Sequence, residues 1–180
     1  MNEIKTRLMV GDDIDRSLAR MAMQIVENNH GVEKLALIGI HTGGVYLARR
    51  IQVLIQEQYG INLPTGSLDI TLYRDDWSLA SQNPLVKKTD IDFPLQEMAV
   101  VLVDDVVFTG RTIRAALDAI MDLGRPRCIQ LAALVDRGNR ELPIQPDYVG
   151  MDVQVGVGEH VHVLLKEHDG ADEVVLTKQG

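Results

Sequence analysis

Apolar residues along the chain alternate between two rhythms. Ile14, Leu18, Met21, Ala22 and Ile25 recur every three or four positions, which predicts a helix with one buried face. Asp12 or Asp13 is placed to cap that helix, and Asn29 and Gly31 to end it. Residues 35–40 then form an apolar run without alternation, the pattern of a strand buried on both faces of a parallel sheet. The rhythm changes again over 45–57, a second helix that Gly60 ends, and 67–73 reads as a second strand. Residues 98–103 predict the third strand. A helix follows with Ile113, Ala116, Leu117 and Ile120 on one face, closed by Gly124 and Pro126. Residues 128–135 predict a fourth strand and Tyr148 and Val149 a short fifth. Near the C-terminus, two apolar segments flank Asp169-Gly170 and read as an antiparallel hairpin. Strand and helix alternating in this way predict an α/β fold, a mostly parallel twisted sheet flanked by helices. One domain over 1–180 is expected, with a core of about 12–150 and the hairpin region at 151–180.

Candidate chemistry collects where strands end. The segment VVLVDDVVFTGRT at 100–112 places Asp104 and Asp105 at the end of the third strand, then Thr109-Gly110-Arg111-Thr112 at the start of a helix. Ligands in open α/β sheets bind at the carboxyl ends of strands, so two carboxylates there suit sugar hydroxyls or a hard cation. The free N–H groups and positive dipole end of the following helix offer a phosphate seat, with Gly110 allowing close approach and the two threonines adding hydroxyl donors. A second turn of this kind, His41-Thr42-Gly43-Gly44, precedes the second helix and is suited to another anion. A third, Asp136-Arg137-Gly138, follows the fourth strand; an internal Asp-Arg pair and a ligand-binding turn are equally good readings of it. The connection from Arg74 to about Glu97 is far longer than the ~4 to 6 residues usual in compact domains. Such a loop is either a solvated excursion or a lid.

Composition narrows the classes. No apolar run is long enough to span a bilayer, and the N-terminus lacks a signal peptide's basic-then-apolar build, so cytoplasmic residence is expected. A net charge of −8 opposes generic attraction to nucleic acid or anionic membrane, so any RNA site must be a local basic patch. His160 and His162 share a strand face without an evident third ligand, and Arg49 and Arg50 read as the wet face of the second helix.

The 100–112 segment resembles the phosphoribosyl pyrophosphate (PRPP) motif of type I phosphoribosyltransferases. TLYRDD at 71–76, DLGRP at 122–126 and LVDRGNRELPI at 134–144 resemble one branch of that family, the pyrimidine operon regulators with uracil phosphoribosyltransferase activity, from about the first helix to about residue 150. The resemblance implies the type I phosphoribosyltransferase fold with a mobile lid, and synthesis of UMP and pyrophosphate from uracil and PRPP with Mg²⁺. It assigns PRPP and nucleotide binding to Thr42, Gly43, Asp104, Asp105, Val106, Val107, Phe108, Thr109, Gly110, Arg111 and Thr112, and catalysis to Arg74, Asp105 and Arg137. Asp136 is the candidate to complete a magnesium shell. A homodimer or higher homo-oligomer is also implied. Purine enzymes of the family usually carry Asp just before TGxT; Phe108 stands there and cannot hydrogen-bond a purine, which favours uracil.

The alternative function is a UMP-responsive RNA-binding regulator with vestigial transferase activity. The branch usually has Thr-Arg-Gly where this chain has Thr42-Gly43-Gly44, and Thr, Arg and His where it has Ala19, Arg20 and Met23. RGHRELPIR becomes a segment ending in Gln145, and Gly-Lys becomes Gly150-Met151. Arg20 and Arg140 remain as possible contacts to pyrimidine-leader RNA. With so many cations lost, weak or absent RNA binding is expected.

Overall fold

The computed structural model describes residues 4–73 and 88–178. Five strands form a parallel sheet in the order β3-β2-β4-β5-β6: β2 (Leu35–Ile40), β3 (Thr65–Leu68), β4 (Ala99–Val107), β5 (Cys128–Asp136) and β6 (Tyr148–Asp152). The unbroken apolar runs of β2 and β4 have the expected cause. Val101 and Val103 join the core under helices α1 (Gly11–Asn28) and α2 (Gly43–Tyr59), whereas Val100 and Leu102 join the core under α3 (Arg111–Leu123). With helices over both faces, neither side of a central strand meets water.

Several boundaries differ from those the pattern predicts. β4 continues four residues beyond Val103, so Asp104 and Asp105 lie within the strand and not after it. β3 ends at Leu68, and Thr71–Tyr73 forms a 3-10 turn instead of more strand. The later part of the long connection returns along the open edge of β3, where Ser67 and Asp90 exchange backbone hydrogen bonds of 2.9 and 2.8 Å. α1 begins at Gly11, before the predicted cap. Asp13 serves the helix start from its third position, its Oδ2 accepting the Val10 N–H at 3.0 Å.

The C-terminal hairpin is part of a larger unit. β7 (Glu159–Leu164) and β8 (Glu173–Lys178) are antiparallel, but a single helical turn, α4 (Lys166–Asp169), joins them in place of a tight turn. β1 (Ile4–Val10), which the pattern does not announce, pairs with β8, giving a three-stranded sheet in the order β1-β8-β7. No helix among the described residues is long and apolar enough to cross a membrane.

Candidate active site

The glycine turn after β2 closes on a carboxyl of the neighbouring strand β4. α2 starts directly after β2, and its first residues pack against β4. A Cβ built on Gly44 would lie 2.2 Å from the Val103 carbonyl oxygen, and one built on Gly43 would lie 2.5 Å from Asp105 Oδ2. Only glycine lets the helix approach this closely. The turn from Thr42 and the carboxylates of β4 are therefore one site. The His41-Thr42 peptide within it is cis.

Asp104 is 6% exposed, and its Oδ1 accepts the Asp105 N–H at 2.9 Å; Asp105 Oδ1 accepts the Val106 N–H at 2.8 Å. Burial first, then the charge of Asp105, pushes the Asp104 carboxyl well above the ordinary carboxylate range. Burial also raises Asp105, against the pull of backbone N–H groups, and the charge of Asp169 adds to the rise. The pair thus holds on to protons that an exposed pair would release.

After β4 the chain turns through Phe108, Thr109 and Gly110 into α3. Gly110 takes φ +92°, which brings the backbone round to the helix start, and Thr109 Oγ1 accepts the Arg111 N–H at 3.2 Å. The turn is held from outside. Thr109 O accepts the N–H groups of Glu141 and Leu142 at 2.9 and 3.2 Å, Phe108 O accepts Arg140 Nη1 at 2.8 Å, and Arg111 Nε meets Glu141 Oε2 at 2.6 Å. Val107 packs its side chain in the α3 core, so only its backbone faces any ligand, and Val106 packs in the opposite core. Thr112 sits half-buried in the first turn of α3.

The turn after β5 supplies the third wall. Arg137 lies over the Phe108 ring at 3.8 Å from its centroid, with a buried Nε that has no hydrogen-bond partner. A cleft of about 880 Å³ opens beside it, lined by Asp136, Arg137, Arg140, Gln145, Asp152 and Val153 among others. Both oxygens of Asp136 are occupied within the protein. Oδ1 accepts the Gly138 N–H at 2.9 Å and Oδ2 accepts Arg140 Nη2 at 2.6 Å. Burial works to raise Asp136, but Arg140 and the Gly138 N–H outweigh it and hold the carboxyl below its ordinary value. Among the described residues no three His, Cys, Asp or Glu side chains are grouped to hold a metal ion.

The expected RNA arginines serve internal contacts. Arg20 Nη2 donates to the carbonyls of Val149 and Gly150 at 3.2 and 2.7 Å, tying α1 to β6. Arg140, beyond its bonds to Asp136 and Phe108, donates to Ile144 O at 2.7 Å. Arg50 is not on a wet face. Its guanidinium forks onto Glu167 at 2.8 and 2.6 Å and reaches Asp172 at 2.7 Å. Those carboxylates, Glu167 foremost against the opposing effect of burial, raise its already high pKa further. Arg74 and the first part of the expected lid, 74–87, lie outside the described residues. Sequence reasoning missed Arg50 and the cleft wall at Asp152 and Val153. A cation one residue from buried Ile51, at the border of an apolar face, was the available signal for the first.

The family model described as a phosphoribosyl transferase domain matches residues 10–165. The chain belongs to that family. Curated relatives agree: the bifunctional protein PyrR of Deinococcus deserti is 52% identical over 98% of this chain and 96% of its own length. That of Thermoanaerobacter sp. is 55% identical over 98% and 99%. Similarity to this branch therefore does not stop near residue 150 but continues through the terminal sheet. Among solved structures, hypoxanthine phosphoribosyltransferases of Staphylococcus aureus (TM-score 0.70, 17% identity, 97% and 92% of the two chains) and Trypanosoma cruzi (0.73, 16%, 96% and 91%) share the fold. This is the type I phosphoribosyltransferase fold.

Proposed function

We propose that this chain transfers the phosphoribosyl group of PRPP to uracil, releasing UMP and pyrophosphate. The observation that carries the reading is the convergence at Asp105. The Thr109–Thr112 cradle, the carboxyl pair and the Thr42 turn are contiguous, in the order in which a 5-phosphate, a ribose and a pyrophosphate follow one another along PRPP. In this reading the N–H groups in the first turn of α3 hold the 5-phosphate, with Thr109 and Thr112 beside it. Asp104 and Asp105 take the ribose hydroxyls. Backbone N–H groups of Thr42 and Gly43 meet the pyrophosphate.

The base would occupy the cleft beside Phe108 and Arg137. As N1 of uracil bonds to C1 of the ribose, the C1–O bond to pyrophosphate breaks and the N1 proton is released. Positive charge develops on the ribose, so the protein's work is to hold the three parts in line and exclude water. Phe108 offers no polar handle to a purine, which favours uracil. Phosphoribosyltransferases use Mg²⁺ with PRPP. With both Asp136 oxygens engaged, the donor set fits an ion carried by the substrate's own phosphate oxygens and waters, where it would neutralise the departing pyrophosphate. The lid role of 74–97, with Arg74 on the pyrophosphate, belongs to the same proposal and rests on the resemblance.

The test is uracil-dependent release of pyrophosphate from PRPP with Mg²⁺, with hypoxanthine and guanine as competing acceptors, beside a gel shift on pyrimidine-leader RNA with and without UMP. Turnover with uracil and none with purines is expected. A UMP-dependent, salt-sensitive shift without turnover would reverse the order of the two functions.

A further inference from the structure

The helical turn between β7 and β8 is fixed against the carboxyl site by contacts from three directions. Arg50 of α2 forks onto Glu167 and bonds Asp172. Asp172 Oδ1 also accepts the Lys166 N–H at 2.9 Å, and Asp169 Oδ2 accepts the Leu165 N–H at 2.9 Å. His168 stacks on Tyr46 of α2, with ring centroids 6.4 Å apart and planes 23° apart. Between this turn and β4 lies a cavity of about 110 Å³. Thr42, Gly43 and Tyr46 line one side, Asp105 another, and His168 and Asp169 a third. A turn more than sixty residues from β4 in sequence thus presents a carboxylate across a small gap from Asp105.

We propose that Asp169 is a positioning residue for the Asp105 carboxyl. Its fixed negative charge, carried by the terminal sheet, keeps Asp105 a strong hydrogen-bond acceptor for the ribose of the donor. The proposal rests on the assignment of Asp105 to the ribose. Its geometric basis is the anchored turn and the shared cavity, and the upward push of the Asp169 charge on Asp105 agrees with it. Among the described residues, the titratable groups facing Asp105 are Asp104 beside it on β4, Tyr46 from α2, and His168 and Asp169 from the turn. The turn's other charges are paired, Lys166 with Asp172 and Glu167 with Arg50. Asp169 itself is exposed, so its influence on Asp105 must weaken as salt screens it.

The sign follows from charge. Removing a negative neighbour lets Asp105 ionise at lower pH. Asp169→Asn keeps an oxygen for the Leu165 N–H and removes only the charge. Its acid limb of PRPP affinity should move down by about 0.3 to 0.5 pH unit at low ionic strength. The shift should vanish near 1 M salt, where screening extends only ~3 Å. Asp169→Glu should restore the wild-type limb. A parallel carbon-13 titration of the Asp105 carboxyl, assigned with Asp105→Asn, should show the same displacement without any substrate. Coincident titrations of Asp105 in wild type and Asp169→Asn at low salt, or a shift that persists at 1 M, would overturn the proposal. Failure of the ribose assignment looks different: the carboxyl titration moves while the PRPP limb does not. If Asp169→Asn does not fold, the salt dependence of the Asp105 titration in the wild type decides, and a salt-independent titration sinks the idea.

Discussion

Arg140→Ala is the most informative single change, because the residue resembles a surface cation in sequence and acts as an internal staple in the structure. Its side chain is 11% exposed and that of Asp136 is 12% exposed. The guanidinium meets Asp136 Oδ2 at 2.6 Å, Ile144 O at 2.7 Å and Phe108 O at 2.8 Å, so it ties the turn after β5 to the turn after β4. Truncation strands a carboxylate and two carbonyls. Breaking a buried pair from one side costs ~3–5 kcal/mol, and the remaining exposure lets water reach the vacated space, which points to the low end, about 3 kcal/mol. For a chain of this size that is roughly 6–12 °C in melting temperature. Arg140→Lys keeps the charge but not the fork and should recover about half of the loss. The pH dependence sharpens the test. Asp136 is held below its ordinary value in the folded protein, so its ionised form contributes stability above the unfolded pKa of ~3.9 that is lost as pH falls. The gap between wild type and Arg140→Ala should therefore narrow in acid. Thermal melts at neutral pH and near pH 3.5 measure it. A melting temperature within about 2 °C of wild type at neutral pH would refute the staple.

Gly43→Ala forces a Cβ to within 2.5 Å of Asp105 Oδ2, so Asp105 must rotate away. Off-rotamer strain plus a weakened charged hydrogen bond, about 1.5–3 kcal/mol together, predicts a fall of roughly 10- to 100-fold in kcat/KM for PRPP with little change in melting temperature. Unchanged kinetics would show that the Thr42 turn and Asp105 do not act on PRPP together. Asp104→Asn with Asp105→Asn should abolish PRPP binding and yet stabilise the free protein at pH 8 by on the order of 1–2 kcal/mol. The reason is that both folded pKa values are raised, so the carboxyls lose stability as pH rises through them and none below the unfolded value; denaturant titrations showing no gain at pH 8 would contradict this. Phe108→Leu removes the aromatic face under Arg137, worth ~0.5–1 kcal/mol, and should lower kcat/KM for uracil about two- to fivefold while leaving KM for PRPP unchanged. An effect confined to PRPP would move Arg137 out of the base site.

Most of the central sheet was legible because β2, β4, β5 and β6 are each signalled by their own neighbours, whereas β3 was placed too late in the chain. β4 reads as buried on both faces from residues 98–103 alone, and the glycine turns are placed by the strand and helix on either side of them. What was not legible depends on partners distant in sequence. β1 mixes Lys5, Thr6 and Arg7 with apolar residues, and its pairing partner β8 lies at the other end of the chain. Arg50 reads as solvated because Glu167 and Asp172 are more than a hundred residues away. The closeness of Gly43 to Asp105 has the same character. The turn and the carboxyl are each visible by themselves, and the fact that they meet is a property of the sheet order, in which β2 and β4 are neighbours.

The same distinction bears on the regulatory reading. Counting cations along the sequence leaves Arg20 and Arg140 as survivors of a basic patch, which suggests a weakened but present RNA surface. In the structure each guanidinium already bonds backbone carbonyls, Arg20 those of Val149 and Gly150, Arg140 those of Phe108 and Ile144. To neutralise a phosphate either must share or give up those bonds, and in a chain of net charge −8 the counterion-release gain that drives nucleic-acid affinity starts from a deficit. The same net charge opposes anionic PRPP, but the proposed seat of its 5-phosphate is the start of α3, where the helix dipole and N–H groups favour an anion. In the proposed reading the balance between the two functions therefore tilts toward catalysis, because Arg20 and Arg140 are holding β6 and the turns after β4 and β5 in place.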